Sequence, residues 1–304
     1  MDAVADDVRT RMLAHLGDDP AAIGVETVTA AVHPLVEVPP APEPAVSIVT
    51  VTYGTGPIVV DALAALAATL GDLAYEVIVV DQPPPPGADP GLPTATRLRL
   101  LTSGVRLIEC AANHGFGGGN TVGVAHARAP IVVLLNPDAV VRPGWLGPLL
   151  AALDDPTIGI AAPVLVNPDG TVQEAGQTLD GEAGAHPITR RPVEASVDVV
   201  HTSAACWAIR RADYELLGGF DPHYHPAYYE DADLVLRMRR AGLRAVVVGA
   251  SEVVHHLGSS TRRRTTNVFT QRAIFRTRWA TELAHLDAEP GTTDLATRSS
   301  PPSR

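Results

Sequence analysis

The sequence predicts an α/β fold: a Rossmann-like, mostly parallel sheet flanked by helices, followed by a smaller, less regular region. Three observations lead there. Four β-branched apolar runs, at residues 46–52, 76–81, 105–108 and 131–135, alternate with stretches of helical periodicity, the pattern of a doubly wound parallel sheet. The runs are apolar without strict alternation, as strands covered on both faces are. The chain has 304 residues, 46% apolar and only 19% charged, enough for one large domain with a substantial core.

The elements follow in order. Residues 1–36 carry weak helical periodicity through Val4, Val8, Met12 and Leu16, and Pro39-Pro40-Ala41-Pro42-Glu43-Pro44 reads as an extended linker. Residues 1–44 are therefore expected to form an appendage, a cap or a homodimer contact. After the first strand, Gly54-Thr55-Gly56 is a turn and Pro57 suits the opening of a helix that presents Leu63, Leu66 and Leu70 on one face. Further helices are expected near 94–102 and 118–128. Beyond residue 155 the alternation weakens. Residues 163–200 read as short strands and polar loops, 201–209 as a strand, and 212–217 as a short helix stopped by Gly218-Gly219. A helix over 231–241 ends at Gly242, two late strands follow at 246–248 and 252–254, and 266–286 is helical. The Pro- and Ser-bearing end is expected to be disordered. The main domain thus covers about 45–265, its two halves meeting near residue 155.

A net charge of -11, from 23 Lys+Arg against 34 Asp+Glu, argues against a nucleic-acid binder. It leaves nucleotides open, because a metal neutralises phosphate locally. Cys110 and Cys206 lie in apolar surroundings without metal-ligand spacing and read as buried, reduced thiols of a cytoplasmic protein. The acidic start lacks the apolar core of a secretory signal, and no window approaches the ~18 apolar residues that span a bilayer. A soluble chain is expected.

In a doubly wound sheet the ligand lies beyond the carboxyl ends of the strands, where Tyr53, Asp81 and Asn136-Pro137-Asp138 fall. A carboxylate such as Asp138, held at that rim, can ligate Mg²⁺ or Mn²⁺ while a diphosphate supplies other oxygens; an Asn-Pro turn with a solvated Asp is the simpler use. Asp81 suits a base or ribose and Tyr53 a stacked ring, with helix capping and core packing as the alternatives. Residues 113–120 (Asn-His-Gly-Phe-Gly-Gly-Gly-Asn) read as a glycine-rich loop entering a helix, where amides can approach an anion. It lacks the Lys-Ser/Thr ending of a phosphate loop.

Tyr228-Tyr229-Glu230-Asp231-Ala232-Asp233 puts three carboxylates within four residues, behind two tyrosines. Such a cluster is costly unless compensated, and it exceeds what helix capping requires. Asp231 is the candidate general base, with Glu230 assisting it or binding an acceptor; Arg237 is placed to pair with Asp233 at i+4. His255 and His256 close a strand, so only one can face a site, as a metal ligand or phosphate contact. Tyr229 and Trp207 are the candidate acceptor contacts.

Taken in order, residues 46–53, 77–81, 113–123, 134–138, 218–221, 229–237 and 254–259 resemble the family 2 inverting glycosyltransferases, in particular their bacterial rhamnosyltransferase-like branch. The resemblance implies a GT-A fold and a nucleoside-diphosphate sugar donor. Tyr53 and Asp81 would contact the nucleobase, with Asn113, Gly115, Phe116, Gly117, Asn120 and Asn136 around the donor. Asp138 would be the surviving carboxylate of the DxD-type motif, holding Mg²⁺ or Mn²⁺ on the diphosphate, with one of His255 and His256 beside the metal. Asp231 would deprotonate an acceptor hydroxyl for in-line, inverting attack, the acceptor being a carbohydrate, a lipid-linked species or a natural product. Apart from the resemblance, Arg262-Arg263-Arg264 reads as a contact for a lipid-linked phosphate or a membrane surface, or as a solvated turn.

Two positions depart from the family pattern. Gln82, before a run of prolines, stands where relatives have Asn, and Asn136 stands where many carry Asp. A nucleotidylyltransferase would want a basic loop at 54–57, which has no Lys or Arg. A non-catalytic nucleotide-sugar-binding or scaffolding domain is the remaining alternative, against which Asp138, Glu230 and Asp231 stand intact.

Overall fold

A computed structural model describes residues 3–17, 19–30, 33–84, 91–193, 195–256 and 265–288. The chain opens with α1 (Ala3–Leu16), β1 (Glu26–Thr27) and β2 (Val36–Glu37). The first half of the main body runs β3 (Val46–Tyr53), α2 (Ile58–Thr69), β4 (Tyr75–Gln82), α3 (Thr94–Leu101), β5 (Thr102–Ser103), β6 (Arg106–Glu109), α4 (Gly115–Ala125), β7 (Ile131–Leu135), β8 (Ala139–Val141) and α5 (Leu146–Ala152). The second half runs β9 (Ile158–Val166), β10 (Val172–Glu174), β11 (Gln177–Leu179), β12 (Ala185–Pro187), β13 (Ser196–Asp198), β14 (Cys206–Arg210), α6 (Arg211–Leu216), α7 (Glu230–Arg240) and β15 (Arg244–His255), then α8 (Thr265–Arg278) and α9 (Ala280–Ala288).

Period-two geometry explains the apolar runs. In β3, Val46 and Ile48 face a core shared with α2, α3 and α5, while Val49 and Val51 face one shared with α1, α4, α6 and α7. In β4, Val77 and Val79 take the first side and Ile78 and Val80 the second. Both faces are covered, so neither register can be polar.

Among the described residues, eleven strands share one sheet, ordered β1-β6-β4-β3-β7-β14-β9-β15-β13, with β10 beside β9 and β8 beside β15. β6, β4, β3 and β7 are parallel. The chain builds outward from β3 through β4 to β6, then returns to place β7 on the other side of β3. That reversal opens a crevice beyond the carboxyl ends of β3 and β7.

β14 runs antiparallel to β7, with Cys206 opposite Leu135, so the residues that precede β14 arrive at the same rim. β15 is parallel to β9 and ends with His255 opposite Ala139 of β8. One edge of the sheet therefore collects segments from four parts of the chain.

Several expectations are corrected. The described part of residues 1–44, expected as an appendage, a cap or a homodimer contact, packs on the main body. Ala5, Val8, Met12 and Leu16 form a buried stripe that a solvated helix could not leave exposed, β1 pairs with β6, and β2 with β5. The glycine-rich stretch is helix from Gly115 onward, and the strand expected over 201–209 is regular only from Cys206. The two late strands are one, with a register irregularity between Val248 and Glu252, and the expected C-terminal helix is two. The tail from residue 289 and Arg262, Arg263 and Arg264 lie outside the described residues. Among those described, no helix is long and apolar enough to cross a membrane.

Candidate active site

A cavity of about 1060 Å³ opens at the collecting rim. Tyr53, Asn136, Asp138, Asp231 and His255 all line it, so the two halves of the chain share one chamber. A smaller cavity of about 570 Å³ lies by Pro39 and Arg106. Its cations are already committed: Arg106 and Arg128 both donate to buried Glu76, at 2.7 and 2.8 Å.

The turn after β7 places Asn136 and Asp138 against the end of β15. His255 Nε2 lies 3.2 Å from Asn136 Nδ2 and 3.4 Å from Asp138 Oδ1. The tautomer follows from Gln173. Its Nε2 donates to Asn167 Oδ1 (2.9 Å) and the His255 carbonyl (3.1 Å), which turns Oε1 toward His255 Nδ1 at 2.7 Å. Nδ1 therefore carries the ring proton, and the Nε2 lone pair accepts from Asn136 Nδ2 beside the Asp138 carboxylate. A cation that displaced the Asn136 amide would meet an imidazole lone pair beside a carboxylate oxygen. A carboxylate oxygen with an imidazole nitrogen suits Mn²⁺, and Mg²⁺ less well. Among the described residues no three His, Cys, Asp or Glu groups converge on one point. The pair therefore fits a metal that arrives with other ligands, such as a diphosphate and water.

The acidic cluster opens α7 after two residues held at positive φ, Tyr228 (84°) and Tyr229 (71°). That backbone is sparsely populated for non-glycine residues and costs on the order of 1–3 kcal/mol each. The Tyr229 ring packs against Phe275 (5.1 Å between centroids) and its hydroxyl donates to the Ala183 carbonyl at 2.7 Å, which holds it at the cavity wall. The three carboxylates have three different environments. Asp233 is fully buried and structural: it accepts from Arg237 Nε at 2.8 Å, Trp279 Nε1 at 2.9 Å and the Tyr224 hydroxyl at 3.3 Å. Arg237, paired with it as expected, also donates to the carbonyls of Leu217 and Gly219 and so fixes the preceding turn. Glu230 is buried with Oε2 unpartnered; burial, then the neighbouring Asp231 charge, pushes its carboxyl well above the usual range. Asp231 remains accessible, its side chain 21% exposed, with Oδ1 accepting from the Ala232 amide at 2.8 Å. Of the three, it is the carboxylate suited to take a proton.

At the other end, Gln82 holds the start of α4: Oε1 accepts from the His114 amide (2.6 Å) and Nε2 donates to the Gly115 carbonyl (3.2 Å). Gly115 has φ +75°, and a Cβ there would lie 2.5 Å from the Pro226 carbonyl, so only glycine fits. Asn113 Oδ1 accepts from the Gly115 amide at 2.8 Å. Asn113, Gly115 and Phe116 line the cavity with Tyr53.

Five expected contacts are not in the cavity wall. Asp81 is spent on the Thr52 hydroxyl (2.6 Å) and the Ala95 amide (3.1 Å), where it caps α3. Gly117 packs its backbone against Phe220, and Asn120 is buried, donating to the Phe116 carbonyl at 3.0 Å. Trp207 is fully buried in the core beside Phe220, because its strand is covered on both faces. His256, just past the end of β15, is absent from the cavity wall; its amide donates to the Asp138 carbonyl. Conversely, His201, Phe269 and Arg272 line the cavity and Gln173 supports it, none of them singled out from sequence; Gln82, noted there only as a departure from the family pattern, lines it too. Gln173 and His255 are 82 residues apart. Only an Asn-Pro-Asp-Gly turn before Gln173 hinted at a return of the chain.

A family model described as "Glycosyl transferase family 2" matches residues 47–218. An N-acetylglucosaminyl-diphospho-decaprenol L-rhamnosyltransferase of Mycobacterium tuberculosis is 31% identical over 245 residues, 71% of this chain and 77% of that protein. The O-antigen biosynthesis protein RfbC of Myxococcus xanthus is 32% identical over 172 residues; these are 52% of this chain but only 13% of that protein. Among solved structures, GalNAc-T7 with UDP, GalNAc and Mn²⁺ superposes with a TM-score of 0.62 at 16% identity, over 79% of this chain and 50% of that one. At such identity the likeness concerns the fold.

Proposed function

The chain belongs to glycosyl transferase family 2, and on that premise we propose that it moves a sugar from a nucleoside-diphosphate sugar to an acceptor hydroxyl, with inversion. The observation that carries this reading is the shared chamber: Asp138 and His255 stand in the same cavity as Asp231. Tyr53, Asn113, Gly115 and Phe116 hold the nucleotide end. Asp138 and His255 would hold Mn²⁺ or Mg²⁺, which when bound would supply positive charge against the departing phosphate. Asp231 takes the proton of the acceptor hydroxyl as its oxygen bonds to the anomeric carbon and the bond to phosphate breaks. Glu230, kept neutral by its burial, donates a hydrogen bond to the acceptor. Phe269, 71% exposed on the cavity wall, and Arg272 offer an apolar face and a cation to whatever carries the acceptor sugar. A lipid-linked glycan suits such a rim, and the mycobacterial relative is named for one.

The test is a panel of nucleoside-diphosphate sugars with Mn²⁺ or Mg²⁺, following nucleoside diphosphate release. Asp231→Asn should retain donor binding and lose about 10²–10⁴-fold in turnover. Normal turnover by that variant would remove Asp231 from the mechanism.

A further inference from the structure

We infer that His201 is a positioning residue for Asp231, donating its Nε2–H to that carboxylate. The inference rests on Asp231 being the base. His201 lies just before β14, in the irregular segment the antiparallel strand brings to the rim, and its ring lines the cavity. The residue is only 3% exposed, and its Nε2 sits 3.9 Å from Asp231 Oδ1. Nδ1 is buried without any partner.

That orphan decides the tautomer. A buried N–H without an acceptor is rarer and costlier than a buried lone pair without a donor. The ring proton therefore belongs on Nε2, the nitrogen that faces a carboxylate. The separation exceeds a hydrogen bond by less than 1 Å, and such contacts often tighten when substrate fills the site.

The backbone around His201 is built to hold the ring still. Its carbonyl accepts from the Gln177 amide at 2.7 Å. The next two residues are tied to buried Glu174, whose Oε1 accepts from the Thr202 hydroxyl (3.2 Å) and the Ser203 amide (2.7 Å). Gln177 Nε2 reaches the other oxygen of Glu174 at 2.7 Å. Asp231 Oδ2 meets the same segment through the Ala204 amide at 3.4 Å. One short stretch, 201–204, thus presents a ring N–H and a backbone N–H to the two oxygens of one carboxylate. The result is a base whose orientation is set before acceptor arrives.

The first test needs no substrate. In the full chain labelled with ¹⁵N-histidine, with the His201 signals assigned through His201→Gln, the imidazole should show the Nε2–H tautomer. Asp231→Asn should move those signals. An Nδ1–H tautomer, or signals indifferent to Asp231→Asn, would overturn the inference.

The second test is kinetic, with whichever nucleoside-diphosphate sugar the wild type turns over. His201→Phe keeps the ring volume but removes both nitrogens, and should lower kcat by about 10²-fold with donor affinity unchanged. His201→Gln puts an amide nitrogen where Nε2 was and should recover most of that loss. If Asp231→Asn is inactive while His201→Phe turns over normally, this inference alone fails. If Asp231→Asn is itself active, the base assignment fails, and the spectrum still reports whether the two side chains are bonded.

Discussion

Within the acidic cluster, chemistry is divided by burial rather than by residue type. Glu230 and Asp231 are adjacent carboxylates that both line the cavity, yet Glu230 is driven toward its neutral form by burial and by Asp231, while the Asp231 side chain stays partly exposed. The sign of the pH effect follows. A carboxyl whose folded pKa is raised contributes stability that is complete below its ordinary value near 4.5 and is lost as pH rises through the folded value. The slope cannot exceed about 1.4 kcal/mol per pH unit for one proton. Glu230→Gln should therefore melt with the wild type near pH 4 and at higher temperature above pH 5, the gap widening with pH. Parallel melting curves from pH 4 to 8 would show that Glu230 is not held protonated. At the metal end, Gln173 orients His255 without touching the cavity. Gln173→Ala should weaken Mn²⁺ binding by about 10–100-fold, read by calorimetry in the presence of UDP or GDP. Unchanged affinity would remove His255 as a ligand, since its tautomer is argued from Gln173 alone.

Among the elements, helix packing depends on a few buried polar ties. Asp221, between α6 and α7, is 1% exposed and binds Arg11 of α1 at 2.6 Å and Arg278 of α8. Burial alone would raise its pKa, but the Arg11 bond, the His223 amide and Arg278 outweigh it and bring the carboxyl down to about 2. Its contribution is thus complete above the ordinary value of 3.8 and fades as pH falls toward 2. Asp221→Asn should cost about 2 kcal/mol at pH 7, because two partly buried arginines each lose one carboxylate and keep only Asp7 and Asp233. Urea denaturation measures it, and a loss below about 0.5 kcal/mol would mean the arginines find water instead. The same arithmetic explains why α1 belongs to the body of the protein. Its stripe of Ala5, Val8, Met12 and Leu16 was legible in the sequence as periodicity, but its docking partner near Asp221 was not.

For the whole molecule, the rim works because strand direction changes between β7 and β14. Had β14 been parallel, residues 201–205 would lie at the opposite edge of the sheet, and neither His201 nor the Ala204 amide could reach Asp231. The glycines of α4 have a related role in tight packing. A Cβ on Gly123 would sit 2.3 Å from Val49 Cγ1, so α4 lies directly on β3 and its first turn reaches the crevice. In the sequence those glycines read as a ligand loop; in the fold they are mainly a packing surface, with Gly115 alone meeting the cavity.

The parallel half-sheet was legible in the chain before folding, since apolar runs of strand length between helical segments have few other ways to hide both faces. So was the place of Asp138 and Asp231 at element ends, because strand stops and helix starts are local signals. Which of several plausible side chains face the cavity came from the assembled fold: His255 over His256, Gln82 over Asp81, Tyr229 over Trp207. The physical reason is that a side chain's direction and partners depend on register and strand order, set by contacts between residues as far apart as Asn136 and His255. Local propensity carries no record of those contacts.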